Sequence, residues 1–249
     1  MEMTSKEYWN STWSGIKPRI VNSVTFEDIF QKYLRYDATL SCIEIGCILG
    51  DFLIFLHKKY GFQIYGVDYS SEICVLKENM KINGVSKYGI FKKNFLSWRT
   101  SMRFDVVCSF GFVEHFTNYR KVIERHANLL KKEGLLILTV PNFRYGSALL
   151  HMLFRDFSNI RRNHNIEVMN PKILADALTK EGLKILFLNY HGTFGFWLSS
   201  GYSGKRTMIS KMFLLLIWAI QGFFARLRVN APNRFFSPHI VCVAKKVTP

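Results

Sequence analysis

Short apolar runs alternate with segments of helical spacing from residue 39 to the end of the chain. Runs rich in β-branched and aromatic residues predict five strands, at residues 40–46, 63–70, 88–95, 104–110 and 135–142. Apolar residues at helical spacing predict helices at residues 50–60, 71–84, 118–132 and 171–181. Strands and helices in this alternating order are typical of a mostly parallel sheet with crossover helices on its faces.

Two further apolar runs, residues 184–192 and 239–246, predict the last strands. No short crossover helix of the usual kind lies between them, so an antiparallel pair at the edge of the sheet is expected, with residues 193–237 inserted in its connection. The stretch between the fifth strand and the helix at 171–181 is less regular, and no element is predicted there.

The length of 249 residues is enough for one α/β domain with a full core. The formal net charge is +16, and Glu181 is the last acidic residue, so the positive excess lies toward the C-terminus. This asymmetry predicts an anionic partner, such as nucleic acid, acidic lipid headgroups or a phosphorylated substrate. Because basic residues are interleaved with aliphatic ones rather than arrayed with stacking aromatics, nucleic acid is the least favoured of these partners.

The five cysteines, at positions 42, 47, 74, 108 and 242, lie mostly in apolar runs and form no CxxC pair. They are typical of buried, reduced thiols in a cytoplasmic protein, and neither a disulfide nor a metal site is predicted. The first residues, MEMTSKEYWN, show no basic region followed by an apolar stretch, so no secretory signal is predicted.

Residues 44–50, EIGCILG, follow the first predicted strand and precede the first helix of the sheet. Gly46 and Gly50 allow a turn whose backbone approaches a ligand, and Asp68 ends the next strand about 20 residues on, where an acid can bind ribose hydroxyls. This pattern suits either a dinucleotide or an adenosyl group. A dinucleotide oxidoreductase is disfavoured because the turn lacks the third glycine of G-x-G-x-x-G.

Four segments in consistent order, EIGCILGDF, YGVDYS, FDVVCSFGFVEHF and LLKKEGLLILTVPN, resemble the class I S-adenosylmethionine-dependent methyltransferases. The resemblance spans roughly residues 40–190 and implies a methyl-transferring enzyme (EC 2.1.1) with S-adenosyl-L-methionine as cofactor. It implies an α/β fold: a Rossmann-like, doubly wound sheet of seven strands in an α/β/α sandwich, with the last strand antiparallel. Residues 39–249 would form this domain, with a hydrophobic, basic insertion at 193–237, and residues 1–38 an N-terminal helical lid segment.

By this resemblance, Glu44 and Gly46 line the methionine part of the cofactor, and Asp68 holds the ribose hydroxyls. The cofactor-binding residues that the resemblance implies are Glu44, Gly46, Cys47, Gly50, Asp68, Tyr69, Ser70, Asn94, Phe95, Ser109, Phe110, Gly111 and Glu114. Ile48 departs from the family, which usually has glycine or alanine there. A β-branched side chain disfavours positive φ and narrows the space beside the cofactor. Either the turn uses ordinary φ with Ile48 pointing away or binding is weakened, and a catalytically silent adenosyl-binding partner protein remains an alternative.

Methyl transfer to a hydroxyl requires alignment of the acceptor and removal of its proton. The candidate bases are His115 after the fourth strand, His164 in the segment where the family builds its acceptor pocket, and His191 after the sixth strand. Arg161 and Arg162 beside His164 either bind a phosphate or carboxylate of the acceptor or form a solvated basic turn.

Aromatic residues at the N-terminus, Tyr8, Trp9 and Trp13, predict either a lid over the cofactor or a helix packed on the sheet. The insertion contains KMFLLLIWAIQGFFARLR, whose apolar stretch is shorter than the roughly 20 residues of a membrane span. A helix in the membrane interface, through residues 207–228, competes with a helix that covers the acceptor site or forms a dimer contact.

The YW…W start and the HNIEVMNP stretch loosely resemble small bacterial methyltransferases of surface-polysaccharide biosynthesis. This resemblance favours O-methylation of a sugar or glycan precursor, free or nucleotide- or lipid-linked, by a cytoplasmic protein that contacts the inner membrane face peripherally. The alternative acceptor is a lipid or quinone-like molecule at the membrane surface. The pattern leaves the acceptor atom and the oligomeric state open.

Overall fold

A computed structural model of the protein describes residues 2–198, 208–227, 229 and 231–247. The strands are β1 (Ser41–Ile45), β2 (Gln63–Asp68), β3 (Tyr88–Lys92), β4 (Phe104–Phe110), β5 (Leu130–Pro141), β6 (Leu183–His191) and β7 (His239–Lys246). They form one sheet in the order β3-β2-β1-β4-β5-β7-β6. β7 is antiparallel to both of its neighbours, whereas the other pairs are parallel. The predicted Rossmann-like sheet with an antiparallel last strand is therefore confirmed.

The helices pack on both faces of this sheet and at its edges. They are α1 (Lys6–Trp13), α2 (Glu27–Tyr33), α3 (Asp51–Tyr60), α4 (Ile73–Ile82), α5 (Tyr119–Leu129), α6 (Tyr145–Leu153), α7 (Phe157–Asn163), α8 (Pro171–Lys180) and α9 (Met208–Arg226). A 3₁₀ turn, Val113–His115, follows β4.

Side chains of β4 alternate between two apolar cores. Val107 belongs to the core that α5 and α8 cover, whereas Val106 and Cys108 belong to the core that α2, α3 and α4 cover. This alternation follows from the period of two along a strand, and burial on both faces explains why the strand has a nearly continuous apolar sequence.

The helix predicted at 118–132 ends earlier, at Leu129, and β5 begins directly at Leu130. The segment for which no element was predicted contains α6 and α7. In α6 the usual pattern is inverted: Leu149 and Met152 are exposed, whereas Ser147 and His151 are buried. Apolar residues on the outer face hide the periodicity by which a surface helix is recognised.

The insertion between β6 and β7 contains α9. Leu214 and Ile217 of this helix pack in a small separate core with Phe154 and Phe196. Within the described ranges, no helix is long and apolar enough to cross a membrane. The first and last residues of the predicted interfacial segment, 207 and 228, lie outside the described residues.

Candidate active site

The turn after β1 is shaped by glycines in the left-handed region. Gly46 has φ +75°, and a Cβ there would lie 2.7 Å from the Phe112 ring. Gly50 has φ +73° and precedes the first residue of α3, Asp51. The backbone N–H of Gly46 donates to the carbonyl of Val67 at 2.9 Å, which ties the turn to the end of β2. Only glycine combines this conformation with this close approach.

Ile48 is accommodated without a left-handed backbone. Besides Gly46 and Gly50, the residue of the turn with positive φ is Leu49, with φ 74°. The Ile48 N–H donates to Asp68 Oδ2 at 3.1 Å, and the Ile48 side chain lines the neighbouring cleft. The expected ordinary φ at Ile48 is confirmed, but the residue does not point away from the cleft as expected.

Two carboxyl groups lie beneath this turn. Burial raises the pKa of Asp68, although backbone N–H groups of Ser70, Ile48 and Tyr69 oppose the shift. Burial, together with the charges of Asp51 and Asp68, raises the pKa of Glu44 well above its usual range, and Glu44 Oε2 has no hydrogen-bond partner. Asp68 lines the neighbouring cleft, where its carboxyl fits the ribose hydroxyls of an adenosyl group, whereas Glu44 does not line it.

A cleft of about 600 Å³, including its open mouth, extends from this turn along the ends of β1 to β4. Seven of the cofactor-binding residues predicted from the sequence line it: Gly46, Asp68, Tyr69, Asn94, Phe95, Phe110 and Gly111. Eight residues that were not predicted to bind the cofactor also line it: Glu2, Trp9, Trp13, Ile48, Val67, Lys93, Phe112 and Phe116. Since the ends of parallel strands meet at one edge, the strand-end motifs are brought together as expected.

Six predicted cofactor residues do not line the cleft. Glu44, Cys47, Gly50, Ser70 and Ser109 lie behind its wall, and Glu114 lines a second pocket. The hydroxyl of Ser109 pairs with His126 Nε2 at 3.1 Å, and the Ser70 hydroxyl donates to Asn10 Oδ1 at 3.2 Å. These hydrogen bonds hold the Ser109 and Ser70 side chains inside the protein, away from the cleft.

The N-terminal segment lies over the cleft. Glu2 accepts hydrogen bonds from Asn94 Nδ2 at 2.7 Å and from the Tyr69 hydroxyl at 3.2 Å. Trp9 packs edge-on against His115, with ring centroids 4.7 Å apart, and stacks on Trp13. The aromatic residues near the N-terminus indicated that Trp9 and Trp13 could cover the cleft, whereas no pattern in the sequence indicated Glu2.

A second pocket opens beside the cleft and shares Phe110 and Gly111 with it. Its wall is mostly aromatic, with a few polar groups. The lining residues are Thr25, Phe26, Phe52, Phe110, Gly111, Glu114, Thr139, Pro141, Phe143, His164, Trp197 and His239. Because it borders the cofactor cleft, this pocket is a suitable place for a methyl acceptor; we call it the acceptor pocket.

Two predicted bases and Glu114 form a cluster at this pocket. The rings of His115 and His164 are 4.6 Å apart, and His115 Nε2 lies 3.7 Å from Glu114 Oε1. Burial raises the pKa of Glu114 to about 8. Burial lowers the pKa of His164 to about 4, and burial together with His164 lowers the pKa of His115 to about 3. Both imidazoles are therefore neutral at pH 7.

The structure does not bring His191 to the acceptor pocket. β6 ends at the expected edge of the sheet, but His191 Nε2 pairs with Asp28 at 3.0 Å, and its ring packs against Phe26. Its partner in the β6–β7 register, His239, lines the pocket instead. Arg161 and Arg162 are exposed on α7 and line neither the cleft nor the pocket.

Residues 22–187, more than half of the chain, match the model of a protein family described as a methyltransferase domain. No curated protein matches the sequence. The fold is similar to that of a SAM-dependent methyltransferase from Archaeoglobus fulgidus, with 19% identity, a TM-score of 0.55 and coverage of 97% of this chain and 95% of that one.

Two other solved structures are similar. The [4+2]-cyclase SpnF has a TM-score of 0.59 at 14% identity, over 97% of this chain and 92% of its own. The other is a geranyl diphosphate C-methyltransferase from Streptomyces coelicolor A3(2), in complex with Mg²⁺, geranyl diphosphate and S-adenosyl-L-homocysteine. It has a TM-score of 0.56 at 13% identity, and the match covers 88% of this chain and 77% of that one. At these identities the similarity shows the fold alone.

Proposed function

The chain belongs to the methyltransferase-domain family, with S-adenosylmethionine as its cofactor, and on this basis we propose that it methylates a hydroxyl group of a sugar or glycan precursor. One observation carries the proposal: a pocket that shares Phe110 and Gly111 with the cofactor cleft combines flat aromatic walls with a polar cluster. Acceptor pockets of this type use apolar walls for affinity and a few polar groups for orientation.

The cofactor supplies a methyl group on a positively charged sulfur. The chain must hold the acceptor oxygen in line with that carbon, which the shared wall of the two pockets favours. His164 donates its Nδ1–H to the carbonyl of Ile160 at 3.0 Å, so its Nε2 carries the lone pair. His164 Nε2 is therefore the atom placed to receive the hydroxyl hydrogen.

Aromatic side chains form most of the acceptor wall. Phe52 and Phe110 stack with centroids 3.8 Å apart, and Trp197 lies 5.6 Å from Phe143 and 5.8 Å from His239. Flat apolar faces suit the C–H face of a sugar ring. They also accept the ring of a quinone-like molecule, and the acceptor experiment below therefore includes that class.

We also propose that the acceptor is lipid-linked and that α9 rests on the membrane surface. The helix exposes large apolar side chains at Met208, Met212, Phe213, Leu215, Leu216, Trp218, Ile220 and Phe223. Lys211 and Arg226 are exposed on the same helix, and it carries no acidic residue. An apolar face flanked by cations is typical of a helix that lies in the headgroup region of an anionic bilayer.

The acceptor is tested by incubating the purified protein with methyl-labelled cofactor and separate pools of free, nucleotide-linked and lipid-linked glycans, quinone-like phenols and RNA. We expect label on a glycan hydroxyl. Label only on a phenol or on RNA would replace the proposed acceptor. A protein that binds neither S-adenosylmethionine nor S-adenosylhomocysteine in calorimetry would be the catalytically silent alternative.

The membrane contact is tested by vesicle flotation. We expect the wild type to float with vesicles rich in phosphatidylglycerol and not with neutral ones, and Leu215→Glu combined with Leu216→Glu to abolish flotation. Ile82→Glu, at an exposed apolar position of α4, is the matched control and should float normally. Equal flotation of all three proteins would exclude α9 as the contact.

A further inference from the structure

The cluster at the acceptor pocket contains an unusual set of hydrogen-bond acceptors. One potential ligand atom from each of Glu114, His115 and His164 lies within 4.8 Å of the other two. Glu114 is only 1% exposed, and its Oε2 has no hydrogen-bond partner. The 3.7 Å between Glu114 Oε1 and His115 Nε2 is too long for a hydrogen bond. These groups face one another without pairing.

Both histidines are fixed in the same tautomer. His115 donates its Nδ1–H to the carbonyl of Asn163 at 2.8 Å, and His164 donates its Nδ1–H to the carbonyl of Ile160. Each Nε2 therefore carries a lone pair. Donation of the second ring N–H to a backbone carbonyl is the arrangement that orients histidine ligands of metal ions.

A protonated Glu114 alone does not satisfy the cluster. It would offer one proton to two imidazole acceptors and leave at least one of them unpaired. A buried polar group without a partner destabilises the folded state. A cation between the three groups pairs with all of them at once, because each offers a lone pair.

We propose that Glu114, His115 and His164 bind a divalent transition-metal ion of the zinc class. Two imidazoles and one carboxylate form a ligand set that such ions prefer, and imidazole disfavours Mg²⁺. Bonds of about 2.1 Å in tetrahedral geometry place ligand atoms about 3.4 Å apart. The 3.7 Å separation of Glu114 and His115 requires only a small side-chain movement to reach this value.

Three protein ligands leave a coordination position open, and Glu114 and His164 line the acceptor pocket. If the acceptor is a hydroxyl, as the proposed function has it, the open position binds that hydroxyl and lowers its pKa. The hydroxyl proton leaves to water, the oxygen forms its bond to the methyl carbon, and the carbon–sulfur bond breaks. His164 then acts as a ligand rather than as the base.

His115 distinguishes a metal site from a cluster that acts only as a base. It does not line the acceptor pocket, so it has no function as a base for the hydroxyl. As a metal ligand it is essential. We expect His115→Gln, Glu114→Gln and His164→Gln each to weaken metal binding by at least about 10-fold, and His57→Gln on α3, the matched control, to leave it unchanged.

The binding experiment uses the full chain, freed of metal with a chelator and titrated with Zn²⁺ or Co²⁺ in a calorimeter. One equivalent should bind, with visible absorption for Co²⁺. Cofactor binding by each variant, measured by calorimetry with S-adenosylhomocysteine, shows that the fold is retained. A wild type that binds no metal, or ligand variants that bind it as tightly as His57→Gln does, would overturn the assignment.

Activity distinguishes this inference from the proposed function. Methylation of a glycan hydroxyl by metal-free protein would overturn the metal role and support the acceptor assignment. Stoichiometric metal binding without methylation of any hydroxyl would support the site and overturn the acceptor assignment. Loss of methylation with chelator, and its return with Zn²⁺, would support both.

Discussion

The cofactor cleft and the acceptor pocket share Phe110 and Gly111 but are assembled in different ways. Much of the cleft comes from residues at or directly after strand ends, namely Gly46, Ile48 and residues 67–69, 93–95 and 110–112. The acceptor pocket takes single side chains or pairs from segments between Thr25 and His239. The cleft is therefore a product of topology, whereas the pocket is a product of distant side chains.

Because of this difference, the two sites should tolerate different substitutions. Backbone groups hold the shape of the cleft, as in the Ile48 N–H bond to Asp68 and the Gly46 N–H bond to Val67. Side-chain identity matters there only where a glycine or a carboxylate is required. In the pocket each polar side chain has its own role, so substitutions should affect turnover while cofactor affinity is retained.

The largest expected effect tests this separation directly. His164→Gln should lower kcat for the preferred acceptor by at least about 100-fold, because the cluster that activates the hydroxyl loses a member. The affinity for S-adenosylhomocysteine should change by no more than about twofold, since His164 does not line the cleft. Steady-state kinetics and calorimetry on the same preparation measure the two effects.

His191→Gln is the control for this substitution. Its side chain is held by Asp28 outside the pocket, so both kcat and cofactor affinity should stay within about twofold of the wild type. A large loss of kcat in His191→Gln, or a large loss of cofactor affinity in His164→Gln, would show that the two sites are not separable in this way.

The fold was largely predictable because its signals are local. Each of the seven strands is a compact apolar run, and the glycine turn, Asp68 and the β4 motif lie at strand ends that a parallel sheet must bring together. α6 was missed because its exposed leucines and buried Ser147 and His151 invert the amphipathic pattern. Contacts with other segments bury these two residues: the Ser147 N–H donates to the carbonyl of Phe235, and the His151 ring packs against Phe143 and Phe196.

The candidate site was predictable only in part, because contacts between distant segments leave no local signal in the sequence. Residues such as Asp68 and Tyr69 follow a recognisable motif, whereas Glu2 reaches the cleft by folding back over it. His239 lies at the first position of β7 and enters the pocket because β7 pairs between β5 and β6. His191 and His239 are register partners, yet only His239 lines the pocket while His191 pairs with Asp28, and spacing along the sequence does not reveal this.

A smaller effect tests the claim that backbone shape governs the cleft. Gly46→Ala should weaken cofactor binding by about 10-fold, because the left-handed conformation costs about 1–2 kcal/mol and the new Cβ meets Phe112 at 2.7 Å. Gly84→Ala is the matched control: it has φ +73° with no atom within 4 Å of the added Cβ. Calorimetry with S-adenosylhomocysteine and thermal unfolding measure both variants.

The control should lose about 1 kcal/mol of stability and retain cofactor affinity, because only its backbone is strained. Equal loss of affinity in Gly46→Ala and Gly84→Ala would mean that general destabilisation, rather than the shape of the turn, governs binding.

The smallest expected effect concerns Ile48, the residue that departs from the family pattern. Its contribution to the turn is the N–H that binds Asp68, which any residue except proline supplies, and the left-handed φ lies at Leu49. Ile48→Gly should therefore change the affinity for S-adenosylmethionine by less than about threefold in calorimetry. Its stability should fall by about 0.4–1 kcal/mol, since glycine enlarges the unfolded ensemble. A tenfold gain in affinity would show instead that the isoleucine side chain obstructs the cofactor, and that side-chain identity matters in the cleft as it does in the pocket.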